Sequence, residues 1–343
     1  MSTIDFKNLS QQLRAELSRV NNWRKIVRAL SIVVYLFVFC WFVFVLFGGY
    51  LAGSVGWENY SVITQYIFPV FIGFVVLNFA FSRSLVKFQE QENDIMRNIM
   101  SAMFPTVCFD FASQLDYKIL SGSKLFNTSF SDPALGTTTY GYLEIPRGEQ
   151  TFYVADIGVS YGLMNKLALN SLTGYFVMIY RYVLRPLFAS RLESSGHNFR
   201  GMFGWCRLEK TFKGSILILP DHLEQKVGYL AQNIQGLKKR YNARFMHLED
   251  PDFEKYFAVY ADDEIAARML LTPAMMRYIT RLRETFGHDM MLSFNKDTFY
   301  YAAAMPDGFL CLRKQALNNE HLLEQIYNEI NLSCHVADEL KLN

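Results

Sequence analysis

Two stretches govern how this chain is organised: Ala29–Phe47, ALSIVVYLFVFCWFVFVLF, and Val62–Phe81, VITQYIFPVFIGFVVLNFAF. Neither contains a charged residue. A bilayer core takes about 20 apolar residues of helix, and each stretch supplies about that number. That length argues against a buried core helix. A cleaved signal peptide would start earlier, run shorter and stand alone. The pair predicts two transmembrane helices within 29–82, joined by a short external loop. Lys7, Arg14, Arg19, Arg24, Lys25 and Arg28 precede the first stretch, Arg83 and Lys87 follow the second, and the loop 48–61 carries only Glu58. Positive residues stay on the cytoplasmic side, so both termini are expected there. Trp23, Trp41, Tyr50, Trp57 and Tyr60 fall mostly near the run ends, where amphipathic rings favour the headgroup level. Ionisable residues mark ion and proton paths inside a membrane, and neither stretch has one. Asn78 suits a bond across a helix interface and Pro69 a kink. A pore would need several chains together.

The flanks of the two stretches are amphipathic. Phe6, Leu9, Leu13, Leu17, Val20 and Val27 recur at spacings of three, four and seven, with Gln11, Gln12, Arg14 and Asn22 between them. Residues 1–28 are expected to form a cytoplasmic helix. Leu85, Phe88, Ile95, Ile99 and Met103 repeat similarly until Pro105 stops the helix, so 83–104 reads as a second. The narrow stripe favours pairing of the two as an antiparallel stalk. A first helix lying flat on an anionic leaflet is the competing arrangement. Leu9, Leu13 and Leu17 are candidate interface residues on this reading.

From 105 to 343 the pattern turns to short mixed segments. Thr139–Ile145 and Gln150–Val159 alternate around Pro146-Arg147-Gly148, a hairpin. Phe203–Leu208, Ser215–Leu219 and Arg244–Leu248 read as strands, and Met290–Phe294 with Thr298–Ala303 as another hairpin. Phe309–Arg313 reads as a strand as well. Helices are expected over Glu224–Tyr241, from Asp262 or Asp263 to Leu271, from Thr272-Pro273 to Phe286 before Gly287, and over Leu317–Leu332. Hairpins with separate helices predict a cytoplasmic α+β domain with a mainly antiparallel sheet. The segment 163–190 stands out. Tyr175, Phe176, Tyr180 and Tyr182 crowd beside Arg181 and Arg185, and its uncharged part is too short to span. Core helix and docking element, on a membrane surface or a partner, are both open readings.

Of 343 residues, 51% are hydrophobic and only 19% charged, with an excess of Phe (30). The net charge of +2 gives nucleic acid no general attraction. Five cysteines lie scattered without a CxxC, which suits reduced thiols. No P-loop, GxGxxG after a strand, HExxH or GxSxG occurs. The six histidines are too widely spaced for a metal-ligand pair, and adjacent Cys334 and His335 would point apart on a helix. The acids Glu249, Asp250, Asp252, Glu254, Asp262, Asp263 and Glu264 lack the EF-hand pattern and suit helix caps. No catalytic, cofactor-binding or metal-ligating residue is assigned, and no cofactor is expected.

The stretch Leu248–Met276, LEDPDFEKYFAVYADDEIAARMLLTPAMM, resembles the signature of bacterial "domain of unknown function 3137" proteins, supported upstream by Gly201-Met202-Phe203 and Gly214–Pro220. The match is specific over Gly201–Ala303. The resemblance implies a two-helix membrane segment before a cytoplasmic domain, and a LemA-like membrane protein as candidate partner. It implies no activity. Physically the signature reads as architecture, with Phe253, Phe257, Val259 and Tyr260 buried. The expectation is a bacterial inner-membrane scaffold or regulatory protein, in contact with the lipid bilayer and acting through a protein partner or a homo-oligomer. A membrane-surface enzyme built on the 249–264 acids and an oligomeric two-helix channel are the alternatives.

Overall fold

The computed structural model of the chain describes residues 6–55, 65, 67–111, 113–126, 136–147, 150–160, 199–209, 211, 214–221, 244–287, 289–305, 308–310, 312 and 323–331. They fall into two compact units divided between Met96 and Arg97.

The first unit is helical, with α1 (Phe6–Gln12), α2 (Arg14–Val55) and α3 (Ile67–Met103), which spans the division. Leu13 N–H donates to Leu9 O at 3.0 Å and Leu17 N–H to Leu13 O at 2.9 Å, so helical bonding continues through the α1–α2 join. Helices α2 and α3 run antiparallel. Lys87 Nζ lies 5.5 Å from the centre of the Trp23 ring, and Phe37 stacks on Phe74 at 4.6 Å between centroids. Asn78 donates to Phe74 O at 3.0 Å, within its own helix rather than across an interface. Pro69 falls in the first turn of α3, where its missing N–H breaks no intrahelical bond.

The expected transmembrane hairpin over 29–82 is not upheld. Among the described residues, no helix is long and apolar enough to cross a membrane. Helix α2 carries Arg14, Glu16, Arg19, Arg24, Lys25 and Arg28 in its first half. The transmembrane assignment rested on that hairpin and falls with it.

Among its described residues, the second unit holds nine strands: β1 (Cys108–Asp110), β2 (Gly136–Arg147), β3 (Gln150–Ser160), β4 (Phe199–Arg207), β5 (Ser215–Pro220), β6 (Arg244–Met246), β7 (Phe257–Ala261), β8 (Met290–Asn295) and β9 (Thr298–Ala304). They make one antiparallel sheet in the order β1-β2-β3-β4-β9-β8-β5-β7-β6. Its helices are α4 (Tyr117–Gly122), α5 (Pro251–Glu254), α6 (Glu264–Leu270), α7 (Pro273–Phe286) and α8 (323–331).

Period-two alternation assigns each strand residue to a face. One face buries Ala155, Ile157, Val159, Phe199, Phe203, Leu217, Tyr260 and Ala302 beneath Leu115, Leu120, Leu125 and Phe126. The loop after α4 is tied to the sheet by Asn295 Nδ2 donating to Gly122 O at 2.8 Å and Lys124 Nζ to Ser215 Oγ at 3.0 Å. The opposite face buries Val154, Met202, Ile216, Ile218, Val259, Leu292, Phe294, Phe299 and Tyr301. Phe253 of α5 packs there on Phe257, with ring centroids 5.1 Å apart.

The signature stretch is architectural, as its residues imply. Asp250 caps α5 by accepting from the N–H groups of Asp252 and Phe253, and Asp263 caps α6 through Ile265 and Ala266. Thr272 caps α7, and Gly287 closes it in the left-handed conformation (φ 63°). Phe309 and Leu310 differ from the strand read there, because their N–H groups donate to a buried carboxylate instead of a ladder. The helix expected over Glu224–Tyr241 lies outside the described residues, as does the segment 163–190.

Candidate functional site: an aromatic cleft on the sheet

Strands β3 and β4 pair so that Tyr153 lies directly opposite Trp205. Both side chains belong to the face covered by α4, toward the end of the sheet where β2 adds Tyr142. Directly opposed side chains on antiparallel strands stand about 5 Å apart, close enough for flat rings to stack. Tyr153 and Trp205 do so, with centroids 5.3 Å apart and planes 16° from parallel. Tyr142 packs at 5.6 Å from Trp205 and 6.0 Å from Tyr153.

Beside these rings opens a cleft of about 590 Å³. Its aromatic and apolar lining is Tyr153, Trp205 and Leu208, and its polar lining is Gln150, Thr151, Arg207, Glu209 and Thr298. The volume falls in the range of sites that take small ligands or short segments, about 300–1,000 Å³. Trp205 is 7% exposed, so it offers an edge while the rest of the ring is held by packing. Tyr142 and Tyr153 are half-buried.

The cleft wall is fixed from below. Leu208 N–H donates to Asp297 O at 2.6 Å, and Arg207 Nε donates to Asp297 Oδ2 at 2.9 Å. These bonds tie the end of β4 to the β8–β9 turn, where Lys296 adopts φ 56°. The hydrogen bond from Arg207 holds the Asp297 carboxyl below its usual range. Burial, then the charge of Glu144 and the neighbouring Tyr153, push the Tyr142 hydroxyl above its usual range, so it stays a hydrogen-bond donor.

A second polar centre lies on the opposite face. Asp156 is fully buried and forms an ion pair with Arg200, whose Nη2 donates to Asp156 Oδ2 at 2.9 Å. The N–H groups of Phe309 (3.2 Å) and Leu310 (3.1 Å) donate to the same oxygen, and Arg200 Nη1 also donates to Ile157 O at 3.2 Å. The guanidinium lies 3.8 Å from the centre of the Tyr140 ring. Burial pushes the carboxyl up, while Arg200 and the two N–H groups act against that shift. With its oxygens taken up by donors, this centre pins the 309–310 bend to β3 and β4.

Most of the acids at 249–264 are engaged structurally, Asp250 and Asp263 as helix caps. Glu254 accepts from Leu248 N–H at 2.7 Å, Glu264 pairs with Arg268 at 3.1 Å, and Asp262 accepts from Ser215 N–H at 2.5 Å and Ser215 Oγ at 3.0 Å. No group of three or more His, Cys, Asp and Glu able to hold a metal occurs among the described residues. Burial lifts the Cys206 thiol to about 12, which keeps it protonated and a poor nucleophile.

Of the residues proposed from sequence as an interaction surface, Leu13 and Leu17 are buried and Leu9 is half-buried. Tyr175, Phe176, Tyr180, Arg181, Tyr182 and Arg185 lie outside the described residues. The cleft residues were not singled out by sequence. Alternation places Tyr153 on a strand, but that this strand neighbours the one holding Trp205 depends on non-local pairing across the 161–198 connection.

Residues 197–342 match the model of a family described as "Protein of unknown function (DUF3137)", which supports the signature read at Leu248–Met276. No curated protein matches the chain. A crystal structure of the mycobacterial trehalose monomycolate transport factor A, TtfA, is similar at a TM-score of 0.34 and 8% identity, over 69% of this chain and 94% of that one. A likeness of that size carries no inference about fold or function.

Proposed function

We propose that this chain is a scaffold or regulatory protein that works by binding a protein partner, and that the cleft beside Tyr153 and Trp205 is where the partner seats. The supporting observation is the cross-strand Tyr153–Trp205 stack with Arg207 at its side. Tyr, Trp and Arg are the residue types that dominate binding energy at interfaces, most of all where packing holds them rigid. A preformed aromatic wall loses little conformational freedom on binding. The family resemblance makes a LemA-like protein the first partner to test.

The test is affinity purification of the tagged full chain from its native host, in parallel with Tyr153→Ser/Arg207→Ala. Circular dichroism confirms that the variant is folded. A stoichiometric partner retained by the wild type and lost by the variant is the expected result. The same partners at the same recovery from both proteins would overturn the assignment.

A further inference from the structure

We draw no further inference here: the strongest candidate, the apolar surface patch that α2 and α3 expose at Ile32, Leu36, Phe39, Val76 and Phe79, carries none because nothing in the structure shows what covers it.

Discussion

Removing the guanidinium of Arg200 tests how the sheet is held to the 309–310 bend. In Arg200→Met, Asp156 stays fully buried and keeps only the N–H groups of Phe309 and Leu310. Breaking a buried pair from one side leaves an uncompensated charge and costs about 3–5 kcal/mol. For a domain of this size each kcal/mol lowers the melting temperature by about 2–4 °C, so the loss should be on the order of 6–20 °C. Adding Asp156→Asn relieves the charge, while the amide oxygen still accepts from the two N–H groups. The double variant should therefore be more stable than the single one by at least about 1 kcal/mol. The pH dependence has a definite sign. Without Arg200 the folded carboxyl rises further above its unfolded value of about 3.9, so the neutral form is favoured in the folded state. Stability of Arg200→Met is then greatest in acid and falls as pH rises from about 4 toward the folded value. Thermal unfolding of the full chain, followed by near-ultraviolet circular dichroism at several pH values, reads all three effects. A single variant that loses less than about 1 kcal/mol, or a double variant no better than the single, would refute this reasoning.

Gly204→Ala should destabilise by about 1–3 kcal/mol, because the added methyl would overlap the Tyr301 ring, which is fully buried and stacked on Phe152. Urea denaturation measures it, and a neutral result would show that the ring can move. With the other cysteines replaced by serine, Cys206 alone should resist iodoacetamide at pH 8, since a thiol near 12 is ionised only to about one part in ten thousand. Cys108 alone, which is exposed, should react readily; equal rates would contradict the burial of β4. Helices α2 and α3 expose Ile32, Val33, Leu36, Phe39, Phe47, Val75, Val76 and Phe79, more apolar surface than a monomer in water ordinarily leaves open. The full chain should therefore self-associate in detergent-free buffer and disperse in mild detergent. A monodisperse monomer in plain buffer by light scattering would count against that.

The sheet was legible wherever local signals suffice. The β2–β3 and β8–β9 hairpins follow from alternation around turn residues, and α7 lies between a Thr-Pro start and a glycine stop, because caps and turns are set by neighbours in sequence. Strand β7 was legible only as buried residues, since five apolar positions without alternation do not tell strand from helix. Strand order was not legible. That β4 joins β9, and β5 sits between β8 and β7, depends on pairings between residues far apart in sequence. The Asp156–Arg200 pair was hidden for the same reason, and so was the cleft. The transmembrane reading rested on apolar run length, and among the described residues no helix is long and apolar enough to cross a membrane.

The binding role of the cleft is tested most directly by a photocrosslinking residue placed at Thr151, on the lining, in the full chain expressed in its native host. Irradiation should yield one discrete adduct with one protein, and the adduct should disappear with Tyr153→Ser. The same residue placed at Met269, which is 76% exposed on α6, should give no such product. No adduct from Thr151, or the same adduct from both positions, would contradict the account.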